Sequence, residues 1–265
     1  MKARLTLLLV LFIYLSTQLL GMQVGSTLLT RIEQKEFMPA VEDPESTGSS
    51  AMIFVYILMM TGVVLFLIKY RLGIVIRLLL FTAIFIGIIL TLWSLSHDWL
   101  ISLILTVLIF IIFLWKNANI HITNITLILT LAGFGGWLGA SLAFTPALIL
   151  LLALAAYDLV AVFGTKHMVT LAEESKGKYQ FMVTVPMAEG DLGLGTGDLA
   201  IPLVFTVSVL RDYTVPLALT TSMGGLLGLA VLVYAITQRE KVTLPALPPI
   251  ALGLLTGFAV GSLLL

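Results

Sequence analysis

Residues 146–165 read PALILLLALAAYDLVAVFGT, an apolar helical run interrupted by a single carboxylate, Asp158. A helix rising 1.5 Å per residue needs about 20 apolar residues to cross roughly 30 Å of hydrocarbon, and this run meets that length. Working outward, similar runs lie near 5–24, 52–69, 74–95, 99–115, 124–142, 198–210, 215–236 and 245–265. The chain therefore reads as all-α, a polytopic membrane protein with nine transmembrane helices. Composition agrees, since 60% of the 265 residues are apolar and only 11% are charged, against about 25% charged in soluble domains. A soluble fold of this size still exposes roughly a quarter of its unfolded area, so it has no way to hide so much apolar surface. Soluble enzymes, nucleic-acid binders and disordered chains are excluded, and a net charge of +0 leaves no field for a nucleic-acid partner. The absence of cysteine removes disulfides, thiolate zinc sites and cysteine nucleophiles. The first run follows Met1-Lys2-Ala3-Arg4 and is long, with no Ala-x-Ala site after it. It reads as an anchor rather than a cleaved signal peptide.

Nine spans place the termini on opposite sides, and basic residues choose the direction. With the N-terminus cytoplasmic, the inner segments hold Lys2, Arg4, Lys69, Arg71, Arg77, Lys116, Lys166, Lys176, Lys178, Arg239 and Lys241. The outer segments hold only Arg31, Lys35 and Arg211. The expected orientation is N-terminus inside, C-terminus outside. The acidic, Ser- and Gly-rich loop at 31–50 reads as a solvated external connection, and 166–192 as a cytoplasmic one of mixed charge. No internal repeat is visible, so 1–265 is expected to be a single transmembrane domain.

Nearly all other charges fall in loops or at span edges, which singles out Asp158 and Asp198. Ionisable groups inside a bilayer are costly and mark functional sites. Asp158 lies eight residues before Lys166 at the inner edge, which is about 12 Å on a helix. Asp198 lies thirteen residues before Arg211 at the outer edge, or about 20 Å, leaving about 10 Å to the inner face. The two depths agree. Asp198 alone could be a helix N-cap, and Asp158 alone could bond a nearby serine or tyrosine; both at one depth in consecutive spans point to a site. The glycines of Gly193-Leu194-Gly195-Thr196-Gly197 disfavour helix, so the seventh span should begin at Asp198, after irregular backbone lining protein or water. Pro245-Ala246-Leu247-Pro248-Pro249 repeats the irregularity at the start of the ninth span, with regular helix expected from Ile250.

These residues resemble the presenilin and signal peptide peptidase family of intramembrane aspartyl proteases. Tyr157-Asp158 is similar to its YD motif, Leu194-Gly195-Thr196-Gly197-Asp198 to its GxGD motif, and Pro245-Ala246-Leu247 to its PAL motif. The three stand in order on spans six, seven and nine. The resemblance implies an aspartic endopeptidase, a hydrolase cutting within membrane helices of single-span proteins, with Asp158 and Asp198 catalytic. It implies support from Tyr157, Gly195 and Gly197, and substrate positioning by Leu194, Thr196, Pro245, Ala246 and Leu247. No metal or organic cofactor is implied; the partners are a substrate's transmembrane helix and the lipid bilayer, with oligomerisation left open. Helices of 1–145 then form a scaffold and 146–265 the catalytic part. The chain looks like an archaeal presenilin homologue in a cell membrane, and its inferred orientation is similar to that of presenilin. Its short 166–192 connection departs from presenilin in lacking an obvious hydrophobic insert for self-cleavage. Two carboxyls within hydrogen-bond reach cannot both ionise cheaply, so such a pair holds one proton near neutral pH.

Other classes fit less well. A zinc protease needs a His-Glu-x-x-His cluster, whereas His97, His121 and His167 lie in loops or at edges. A rhomboid-like serine protease lacks its nucleophile motif here, and prepilin-type peptidases leave the proline motif unexplained. The main alternative is an ion- or proton-coupled transporter using both carboxylates, but such folds usually carry paired halves. No counterpart of the Gly193–Asp198 break occurs in spans one to five. An inert scaffold would leave both acids unexplained.

Overall fold

A computed structural model describes residues 2–115, 119–164, 182–186, 191–237 and 244–265. His167 and the basic residues Lys116, Lys166, Lys176, Lys178, Arg239 and Lys241 lie outside the described residues, as does most of the 166–192 connection. The described residues form nine α-helices and one two-stranded hairpin: α1 Lys2–Glu33, α2 Thr47–Lys69, α3 Gly73–Ser96, α4 Trp99–Trp115, α5 Ile120–Ser141, α6 Phe144–Gly164, β1 Met182–Pro186, β2 Asp191–Gly195, α7 Thr196–Asp212, α8 Val215–Thr237 and α9 Leu247–Leu264. Every apolar run in the sequence is a helix. Seven of them are long and apolar enough to cross a membrane; α4 and α7, with 17 residues each, are the short ones. Helix α1 continues to Glu33, beyond the expected end at residue 24, because Val24, Gly25 and Leu28 extend its buried face.

The helices divide by what their side chains meet. Tyr56, Met59 and Phe66 on α2, Leu78 on α3 and Ile104 and Leu108 on α4 are exposed, as lipid-facing residues should be. Helix α7 is the opposite case, with Leu199 and Pro202 through Val209 buried among α1, α5, α6, α8 and α9. Lipid supplies no hydrophobic drive between helices, so close van der Waals approach through small residues holds them together. A Cβ on Gly135 of α5 would stand 2.6 Å from the Leu203 side chain, and one on Gly139 would stand 2.7 Å from the Val204 carbonyl oxygen. Gly21 and Gly25 of α1 admit Leu203 and Val207 in the same way. Between α8 and α9, a Cβ on Gly257 would lie 3.0 Å from the Gly224 Cα, and one on Gly228 would lie 2.9 Å from the Pro249 carbonyl carbon. That seam fixes the first turn of α9 in place.

The connections sort onto two faces. On one, the Ala40 N–H donates to Ser141 Oγ at 2.8 Å, Trp137 Nε1–H to the Met38 carbonyl at 3.0 Å, and the Ala143 N–H to the Pro44 carbonyl at 3.0 Å. The Phe37 ring lies 5.3 Å from Trp93 and 6.3 Å from Trp137. The 31–50 segment is thus not simply solvated: residues 31–33 complete α1, and 37–44 are tied to the helices, with Val41 buried. The same face holds Asp212, whose Oδ2 accepts from the Phe144 N–H at 2.6 Å. The opposite face collects the hairpin and the N-termini of α5, α7 and α9.

On the basic-residue distribution, the hairpin face is expected to be cytoplasmic. Because the chain has no cysteine, single cysteines can be labelled without background. Ser46→Cys and Asp212→Cys should react with an impermeant reagent from outside intact cells, and Lys176→Cys and Arg239→Cys only after the membrane is opened. The reverse pattern would overturn the orientation.

Candidate active site

Asp198 is the third residue of α7. Strand β2 runs directly into the helix, with Gly195 at the N-cap (φ −61°, ψ 139°). From the third helical position an acid can reach back to the N-cap N–H, and the Gly195 N–H is directed at the Asp198 carboxyl. The positive end of the helix favours negative charge there. The helix therefore begins at Thr196, two residues earlier than expected, and Gly193–Gly195 are strand rather than irregular backbone. The reason is the partner strand: β1 and β2 pair antiparallel, with Met182 opposite Gly195 and Thr184 opposite Gly193, and exchange backbone hydrogen bonds at alternate pairs. Four residues beyond Asp198, Pro202 has no N–H to give. The Asp198 carbonyl is consequently released from the helical ladder.

Asp158 is held by a different helix. Its Oδ2 accepts the Leu247 N–H at 3.1 Å, and the Ala246 N–H is directed at the same carboxyl. Ala246 is the N-cap of α9, followed by Leu247, Pro248 and Pro249. The first four N–H groups of a helix have no partner within it. Two of these four positions are proline and carry no N–H; of the remaining two, Leu247 bonds Asp158 and Ala246 faces it. Helix α9 starts at Leu247 rather than Ile250, because proline is well accommodated in a first turn. The Leu247 N–H, at a residue that the resemblance assigns to substrate positioning, is engaged with Asp158.

Helices α6 and α7 pack against each other, and Asp158 lies near enough to Asp198 for its charge to act there. Three sequence motifs on three helices therefore converge. Tyr157 turns its ring edge to Phe54 of α2, with centroids 6.5 Å apart and planes at 85°, which docks α2 on α6. Leu194 and Leu247 are buried in the main core; Pro245 is also buried, and Thr196 and Ala246 are half-buried. The two motif glycines differ. A Cβ on Gly195 would stand 2.9 Å from Asp198 Oδ2, whereas one on Gly197 would meet nothing within 4 Å. Neither has a left-handed φ, so close approach explains Gly195 and open space surrounds Gly197.

Sequence reading missed the hairpin and Asn124, whose side chain bonds the Thr184 backbone. Alternating Met182-Val183-Thr184-Val185 before Pro186 was the available signal for a strand. Asn124 stood at the very edge of the fifth apolar run and passed as a boundary residue.

A sequence profile described as "Signal-peptide peptidase, presenilin aspartyl protease" matches residues 16–190. The chain belongs to this family. The matched segment contains Asp158 and ends before Asp198, but similarity to solved structures spans the rest. One, described as a presenilin family intramembrane aspartate protease in a C222 crystal form, is 25% identical with a TM-score of 0.74, covering 98% of this chain and 99% of its own. Another, described in the same words in a P2 form, is 27% identical with a TM-score of 0.69, covering 96% and 97%. No curated protein sequence matches the chain. The protein is thus a presenilin-family intramembrane aspartyl protease, a hydrolase and an integral multi-pass membrane protein. The transporter reading finds no support in these similarities.

For this presenilin-family chain, the proline before Ala246 should matter through Asp158. Pro245 fixes its own φ and extends the preceding residue, setting the angle at which the Ala246 and Leu247 N–H groups reach the carboxyl. Pro245→Ala should lower turnover about tenfold or more while leaving the thermal unfolding midpoint nearly unchanged. Full activity would remove Pro245 from the site.

Proposed function

We propose that the chain hydrolyses peptide bonds within transmembrane segments of single-span membrane proteins, with Asp158 and Asp198 sharing one proton and activating one water. The observation that supports this reading is that two carboxyls from different helices come near each other: Asp158 Oδ2 accepts the Leu247 N–H at the start of α9, and the charge of Asp158 acts on Asp198 at the start of α7. Such anchoring fixes the carboxyl oxygens before substrate arrives, as electrostatic preorganisation requires. The ionised member takes a proton from water, and the water oxygen attacks the scissile carbonyl carbon. The protonated member hydrogen-bonds the carbonyl oxygen and stabilises the gem-diol. Collapse then breaks the C–N bond as a proton passes to nitrogen. The proton belongs to the pair rather than to either member.

A substrate helix hides its peptide bonds behind its own hydrogen bonds, so it must unwind locally. The exposed backbone of β2 at Gly193 offers donors and acceptors for an extended segment, and the open space at Gly197 leaves room beside Asp198. In this arrangement helices of 1–145 are the scaffold, with α1 and α5 gripping α7, and 146–265 carry the chemistry. The test is to mix the purified chain with a single-span protein, with and without a hydroxyl-bearing transition-state mimic of aspartyl proteolysis. Two fragments cut within the span, and their loss with the mimic, are expected. Intact substrate under conditions where the protein is folded would contradict the proposal.

A further inference from the structure

Asn124 lies in the second turn of α5 and is 8% exposed. Its amide makes two hydrogen bonds to one residue: Nδ2–H donates to the Thr184 carbonyl at 2.7 Å, and Oδ1 accepts from the Thr184 N–H at 3.1 Å. In an antiparallel pair, a residue's N–H and C=O point either both toward the partner strand or both away from it. Both groups of Thr184 are on Asn124, so Thr184 and Gly193, which face each other, form a non-hydrogen-bonded pair. The N–H and C=O of Gly193 therefore point to the far edge of β2. The Asn124 carboxamide stands where a third strand would add to β1, while Val183 and Val185 anchor that strand in the core. Among the described residues, Asn124 closes one edge of the sheet, and no strand pairs with the other, where Gly193 is exposed. The open edge belongs to the strand that runs through Gly195 to Asp198.

We propose that Asn124 is a positioning residue: by occupying the β1 edge it fixes the hairpin, and with it the Gly195–Asp198 turn, and directs an unwound substrate segment onto β2 beside the acids. This rests on the protease reading above. Few side chains can replace it. A leucine of similar shape can neither donate nor accept, leaving two buried backbone groups of Thr184 without partners, which is costlier than losing the bonds alone. An aspartate can still accept the Thr184 N–H, and when protonated it can also donate to the carbonyl.

The experiment compares wild type, Asn124→Leu and Asn124→Asp as full-length protein in one detergent. Readouts are kcat and KM on a single-span substrate, the position of the cut by mass spectrometry, and hydrogen–deuterium exchange. In Asn124→Leu, kcat should fall about tenfold to a hundredfold, and cutting should spread to neighbouring bonds. Amides of 182–195 should exchange about tenfold faster or more, while those of 199–209 in α7 keep wild-type protection. Asn124→Asp should return the cut to its wild-type position. A Leu variant with wild-type kcat and a single unchanged cut would overturn the proposal, and so would unchanged exchange at 182–195. If the Leu variant loses protection throughout α5 and α7, the Asp variant decides, and scattered cutting in a folded Asp variant also overturns it. An inactive wild type would count against the protease reading, while the exchange comparison would still test the clasp.

Discussion

Asp158→Asn should lower cleavage of a single-span substrate by at least about a thousandfold, and Asp198→Asn by as much. The comparison is clean because asparagine keeps the shape of aspartate and an oxygen that accepts. The amide oxygen at 158 can still accept the Leu247 N–H that Asp158 now accepts at 3.1 Å, so α9 stays capped. The amide oxygen at 198 can still face the Gly195 N–H that is directed at Asp198. Shape and helix starts are preserved, and only the ability to exchange a proton is lost. In the proposed mechanism the two acids act as one unit, so the double variant should be scarcely worse than either single one. Product yield is read beside thermal unfolding and gel-filtration profile to establish folding. Retained turnover in either folded single variant would rule out the pair as the catalytic group.

The second large effect is expected at Gly195. A Cβ there would stand 2.9 Å from Asp198 Oδ2, too close for the carboxyl to remain where it is. The displaced atom is the end of a side chain, so the fold tolerates the change easily. Catalysis does not, because a misplacement near 1 Å can cost about a hundredfold. Gly195→Leu should therefore lose about a hundredfold or more in kcat with little change in stability. Gly197→Ala should keep most activity, since its Cβ meets nothing within 4 Å, and Thr196→Ala should also turn over measurably. A larger side chain at Gly197 should act differently from one at Gly195, raising KM by filling the space beside Asp198. Equal losses in Gly195→Leu and Thr196→Ala would give the threonine hydroxyl a chemical role. Kinetics on the three single variants separate these outcomes.

These contrasts show where sequence reading succeeded. Span length and hydropathy are local quantities, and each apolar run became a helix. The matched depths of Asp158 and Asp198 needed only helical rise, and the two acids lie on packed helices, near enough for one charge to act on the other. What was not legible depends on partners distant in sequence. The irregularity attributed to Gly193–Gly197 is mostly a strand, because 182–186 pairs with it. Helix α9 starts three residues early because the Pro248 and Pro249 ring geometry suits a first turn, and its spare N–H groups find Asp158. Gly195 and Gly197 look alike as motif letters, yet only one has a neighbour where a side chain would go. Asn124 carried no signal of its role, since its partner is sixty residues away.

The central claim is that Asp158 and Asp198 work as a pair holding one proton. Initial cleavage rate against pH, on one substrate with folding checked at each pH, tests it most directly. At low pH the ionised member gains a proton and can no longer activate water; at high pH the protonated member loses its proton and can no longer bond the carbonyl oxygen. The account therefore requires a bell with two limbs, each belonging to the pair. A rate that rises or falls through a single limb to a plateau, in folded protein, would contradict it.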